Sequence, residues 1–207
     1  MLVLLLPLIA HAVEVPDFVP GQRVYVEPAE YTFATRQVEA AVGETVHHVY
    51  VVVFEAVSDG WLEEGRESET EEALEAVWSR WTVYPGDGEG AFDPREGSLV
   101  VLGMDEREVR LRAGSRWDAE LGLHNEALLP IIDETFMPLA VAQDLDGALA
   151  ALVQGTARTI DEGIAARAGA ERRAEERVER ERVATADRDA ALVERAVLAS
   201  ESDARCR

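Results

Sequence analysis

A chain of 207 residues with 47% hydrophobic side chains can bury a sizeable core, and one domain plus an appendage is the natural division. Its formal charge of −21 disfavours nucleic acid and anionic lipid surfaces as partners and favours cations. The charge is uneven: residues 1–169 hold 31 acidic and 11 basic side chains, so nearly all of the excess lies there. Every basic residue is Arg. A GC-rich coding bias and adaptation to high salt both account for this, and unfolding measured against salt separates them. The single cysteine, Cys206, excludes an intrachain disulfide.

Residues 2–9 form an apolar run of signal-peptide length, and Ala10-His11-Ala12 fits a small-x-small cleavage site. The run is shorter than the ~20 residues that span a bilayer. Residues 1–12 therefore read as a signal peptide or truncated anchor, with a buried strand as the alternative. Export places the protein outside the cytoplasm: periplasmic, lumenal or membrane-associated through its N-terminus. Residues 13–21, polar and broken by proline, read as a linker into a domain over 22–168.

Within the domain, Arg23-Val24-Tyr25-Val26 is a short β-prone run closed by Glu27-Pro28. Residues 29–47 have helical spacing, with Phe33, Val38, Ala41, Val42 and Val46 on the apolar side. Residues 49–57, VYVVVFEAV, predict a central strand covered on both faces. Residues 61–72 are acidic and lead into a helix with its apolar face at Ala73, Leu74, Val77, Trp78 and Trp81. Residues 84–97 are a Gly/Pro-rich loop. Residues 98–103 and 108–113 then flank the turn Met104-Asp105-Glu106-Arg107 as a hairpin. Its first arm is almost wholly apolar; its second alternates Val109, Leu111 and Ala113 with charges, as at a sheet edge.

Two further helices are expected, over 123–139, ending at Pro138, and over 144–168, capped by Asp144. Small residues such as Gly147 and Gly155 would let the second pack closely. Residues 169–207 mix Arg and Glu at helical spacings, as in a solvated charged helix. Coiled-coil seams fail there, because Val178, Thr185 and Leu192 pair with Glu181, Arg188 and Arg195. Docking of a partner through Val178, Leu192 and Val197 is the alternative.

This order of elements resembles the TPM-domain family, whose members include thylakoid-lumen proteins of photosystem II repair, an acetylcholine-receptor modulator and many exported bacterial proteins. The matching residues run from 22 to 165. They are Val24 to Ala29, Trp81, Gly97-Ser98-Leu99-Val100-Val101, Asp105-Glu106-Arg107, Val109-Arg110-Leu111, Gly114, Ile131-Ile132, Pro138 and Gly155. Glu27 stands where Asp is usual, and Ser115-Arg116-Trp117 stands where a second glycine is usual. The resemblance implies a three-layer α/β/α sandwich, in agreement with the residue patterns. It also implies metal binding and a weak acid phosphatase activity in some members.

Ligands of such sheets bind beyond the carboxyl ends of the strands. Asp105, Glu27, Asp59 and Asp118 lie at or after strand ends, and their convergence would suit calcium or magnesium. Ordinary acidic surface is the competing reading of these four. Asp87-x-Glu89-x-x-x-Asp93 is a second cation candidate without EF-hand spacing. The His47-His48 pair points to different faces of the helix expected there. No phosphate loop follows a strand, which excludes a nucleotide cofactor by motif. No catalytic set is visible. The expected function is an exported accessory or interaction domain that acts on a membrane or envelope complex through a protein partner and takes a divalent cation. The alternative is a divalent-metal-dependent acid-phosphatase-like hydrolase.

Overall fold

The computed structural model describes residues 15–29, 31–57, 69–88 and 90–205. Two units are distinguished, Met1–Asp161 and Glu162–Arg207. The first is a three-layer α/β/α sandwich around a sheet of order β1-β2-β3-β4. Strands β1 (Val24–Glu27), β2 (Val49–Phe54) and β3 (Ser98–Gly103) are parallel, and β4 (Glu108–Arg112) is antiparallel to β3.

Strand periodicity sorts the side chains into two cores. Val49, Val51, Val53, Val100, Leu102, Val109 and Leu111 face one layer; Tyr50, Val52, Phe54, Leu99 and Val101 face the other. Both faces being covered explains why β2 and β3 read as unbroken apolar runs. The first layer holds α1 (Arg36–Glu44), α3 (Ser115–Leu121), α4 (Asn125–Ile131), a π-helical turn (Ile132–Phe136), α5 (Met137–Val141) and the start of α6 (Leu145–Arg205). The second layer is α2 (Glu69–Val83) with residues 15–18 and the loop before β3.

On that second side six aromatic rings pack together. Phe18 lies 5.5 Å from Tyr50, 5.3 Å from Trp81 and 5.8 Å from Phe92. Tyr25 and Trp78 complete the set, 5.0 Å from Trp81 and 5.2 Å from Phe92 respectively. Trp81 donates its indole N–H to the Pro16 carbonyl at 2.8 Å, and Arg80 pairs with Asp17. Val15, Pro16 and Phe18 of the segment expected as a linker are therefore packed onto the domain, and residues 19–21 are exposed.

Several helix bounds differ from expectation. Residues 29 and 31–35 are not helical: a cis Glu27-Pro28 bond and a turn from Tyr31 N–H to the Pro28 carbonyl precede α1. Val46, expected on the apolar face, lies beyond α1 and is 80% exposed. His47 and His48 likewise follow the helix, so helix faces do not separate them. The helix expected over 123–139 is three pieces, and α3 before it was not anticipated. Pro138 does not end a helix; it sits in the first turn of α5, which runs straight on from the π-helical turn. Asp144 caps α6 as expected, accepting the Gly147 N–H at 3.0 Å. A Cβ on Gly155 would come within 2.7 Å of Thr135 Cγ2, which shows how closely α6 approaches the π-helical turn.

In the unit Glu162–Arg207 the described side chains are mostly exposed, Val178 and Leu192 included. Arg167 pairs with Glu171 at 3.1 Å and Arg182 with Glu179 at 2.9 Å. Such surface pairs add only about 0.3–0.5 kcal/mol each to a helix. Val197 and Cys206 lie outside the described side chains, as do residues 1–14.

Candidate functional site

The parallel strands carry their carboxyl ends to one edge. The Glu55 N–H donates to the Glu27 carbonyl at 2.9 Å, and the Asp105 N–H to the Glu55 carbonyl at 3.1 Å. Glu27, Glu55 and Asp105 are thus laddered side by side. Asp59, which follows β2 in sequence, lies outside the described residues.

Asp118 does not join them. Strand β4 runs back, placing Arg112 opposite Leu99 at the start of β3. Helix α3 follows at that edge, where Ser115 and Arg116 donate to the carbonyls of Pro94 and Arg95. The edge that carries Asp118 and the edge that carries Asp105 are separated by the length of β3, five steps of about 3.3 Å or roughly 17 Å. Of the four carboxylates expected to converge, Glu27 and Asp105 share an edge and Asp118 stands apart from them. Among the described residues no group of three or more His, Cys, Asp or Glu is arranged to hold a metal ion.

A different pair converges at the carboxyl edge. Glu106, next to Asp105 in the hairpin turn, turns its carboxylate inward. Its Oε1 accepts the Val57 N–H at 3.0 Å. A Cβ built on Gly103 would meet Glu106 Oε2 at 2.5 Å and Thr70 Oγ1 at 2.8 Å, so both oxygens crowd the same point over the glycine. Thr70, in the first turn of α2, is 0% exposed. Neither Thr70 Oγ1 nor Glu106 Oε2 has a hydrogen-bond partner among the described residues. Buried oxygens normally have one, because leaving such a group bare costs about 1–3 kcal/mol. A proton or a cation between them would satisfy both.

The turn explains why Asp105 was singled out and Glu106 missed. Arg107 closes it with φ of 53°, a left-handed conformation that sequence patterning does not reveal in an Arg. Asp105 is exposed, and Glu106 folds back over Gly103. The glycine just before an acidic turn was the available signal.

The other candidates have structural partners. Asp93 accepts the Arg95 N–H at 2.8 Å through its side chain, and Glu89 lies outside the described residues. His47 bonds Asp161 at 2.9 Å and packs edge-on to Trp117. His48 stands 3.5 Å from the Tyr50 hydroxyl; burial, then Arg23, lowers its pKa.

At the opposite edge, α2 and β4 are stitched by charge. Arg110 and Arg112, two residues apart on the strand, pair with Glu71 and Glu75, one turn apart on the helix. The Arg112 guanidinium also lies 4.4 Å from the Trp78 ring centre. The charged face of β4 is thus partly covered by α2 and otherwise exposed, alternating with buried Val109 and Leu111 as expected. Beside it opens a groove of 670 Å³.

No family model matches this chain, and no curated protein does. Solved structures that this chain resembles include these three. The N-terminal domain of a P. gingivalis protein shares 20% identity at a TM-score of 0.47, over 68% of this chain and 83% of that one. The N-terminal domain of cg2496 from Corynebacterium glutamicum shares 18% at 0.42, over 70% and 84%. BA42 from the psychrophilic Bizionia argentinensis shares 8% at 0.45, over 65% and 86%. Likeness at this level carries no functional residue across. Among the described residues no helix is long and apolar enough to cross a membrane.

Proposed function

We propose that this chain is an exported TPM-type accessory domain that serves a membrane or envelope complex and binds a divalent cation at the carboxyl edge of its parallel strands. The observation behind the cation is the convergence of Glu106 Oε2 and Thr70 Oγ1 over Gly103, both buried and both without a hydrogen-bond partner among the described residues. Oxygen donors of this kind suit calcium or magnesium. Asp105 lies next to Glu106 and adds charge at the rim. The motifs shared with the TPM family over residues 22–165, and the apolar run at residues 2–9, support the rest of the reading.

A thermal melt of the full chain with and without calcium or magnesium tests it. Cation at about 100 times its dissociation constant adds about 2.7 kcal/mol, a readily measured rise in Tm. Glu106→Gln should abolish the rise, and Gly103→Ala should reduce it by forcing the two oxygens apart. An unchanged melt with both ions rules the cation out.

A further inference from the structure

The groove at the amino edge of the parallel strands is lined by Glu75 and Trp78 of α2, Arg112 of β4, Asp118 of α3, and Leu123 and Glu126 around the start of α4, among others. We propose that it receives a basic segment of a partner polypeptide, through Arg or Lys side chains. The inference rests on the interaction-domain reading for the existence of a partner and makes no use of the cation site.

Three observations lead there. First, the charge is uncompensated. Among the described residues that line the groove Arg112 is the one Arg, and its guanidinium pairs with Glu75. Asp118 and Glu126 remain, both exposed, within a stretch that carries almost all of the chain's negative charge. Carboxylates set in a cleft of a strongly acidic domain focus its field on incoming cations.

Second, the groove already shows how a guanidinium is held there. Arg112 lies on the Trp78 face while bonding a carboxylate, which combines a cation–π contact with a charge-assisted hydrogen bond. Asp118 and Glu126 extend that chemistry along the groove for a second cationic group.

Third, the lining is not that of a bare ion site. Half-buried Pro94 and the narrow exposed margins of the otherwise buried Trp78, Leu123 and Ala113 give the methylene stems of Arg and Lys a thin apolar strip to lie along. The open groove of 670 Å³ has room for more than one side chain. A long basic side chain uses both the stems' surface and the carboxylates; a hydrated metal ion uses only the second.

The full chain, titrated with a short peptide of alternating Arg and Ser, tests this by calorimetry and by tryptophan fluorescence. Binding is expected at low salt and should weaken as salt rises. The double variant Asp118→Asn, Glu126→Gln should lose about tenfold in affinity, or about 1.4 kcal/mol. Both residues are exposed, and an unchanged melt will confirm that the variant folds. The matched variant Asp133→Asn, Glu134→Gln removes the same charge outside the groove and should keep its affinity. Equal losses in the two variants would show attraction to the net charge alone and overturn the proposal. Spermine binding as tightly as the peptide, or no peptide binding at low salt, would also overturn it. The cation melt reads the opposite edge, so either proposal can fail without the other.

Discussion

The carboxylate of Asp146 accepts the backbone N–H of Val38 at 2.9 Å, across 108 residues of sequence. The same carboxylate takes the Gln37 N–H at 2.9 Å. Helix α1 is thus capped by a residue of α6, because its own Thr35 bonds the Glu39 side chain instead. First-turn amides have no intrahelical partner, and an anion placed there also meets the positive end of the helix dipole.

Asp146→Ala should therefore destabilise the domain by about 1–3 kcal/mol, since it leaves these amides unpaired beneath a packed helix. Asp146→Asn keeps an acceptor and should lose less. Urea unfolding of the two variants beside the parent measures both; equal stability of all three would mean that α1 does not depend on this contact.

Phe18 makes a second test, because a linker and a core segment respond oppositely to truncation. Phe18 is buried against Tyr50, Trp81 and Phe92, so Phe18→Ala should cost about 3–5 kcal/mol. Val19→Ala, one residue on and largely exposed, should be nearly silent. A small effect at Phe18 in a thermal or urea melt would return residues 15–20 to the role of a tether.

The same aromatic cluster sets an alkaline limit. Burial raises the pKa of both Tyr25 and Tyr50 above the usual 10.0, and the hydrogen bond with Val19 only partly offsets this at Tyr25. The folded protein then keeps phenolic protons that the unfolded chain releases. Their contribution is intact below pH 10 and is lost as pH rises through the higher folded values. Stability measured by urea unfolding should fall across that window, and Tyr50→Phe should flatten part of the fall. A profile unaffected by the substitution would remove Tyr50 as a cause.

Strands β2 and β3, the hairpin and the apolar face of α2 were legible in sequence because burial on two faces leaves unbroken runs of Val and Leu. The Asp144 cap was legible for a local reason: its partner is three residues away. What escaped reading depended on distance or on chain direction. Asp146 caps a helix more than a hundred residues off. Phe18 looked like a linker residue because its neighbours are polar and proline-rich, yet its partners are Tyr50, Trp81 and Phe92. Asp118 was placed with Asp105 although the hairpin between them reverses the chain and carries it to the far edge. Helix α3 is too short for its periodicity to register. Glu106 and Asp105 are adjacent acids, and the bond that holds Glu106 inward comes from the Val57 N–H, 49 residues away.

Helix α2 brings Thr70 to the carboxyl edge of the sheet, while Glu75 and Trp78 stand at the groove. Eight residues separate the ends of that span, about 12 Å of continuous helix. The two edges therefore share one stiff rod, tied to β4 by Arg110 and Arg112. A small rotation of that rod would move a hydroxyl at one end and a carboxylate and an indole at the other. Were occupants of both edges to distinguish two settings of α2, each would shift the other's affinity by the same factor.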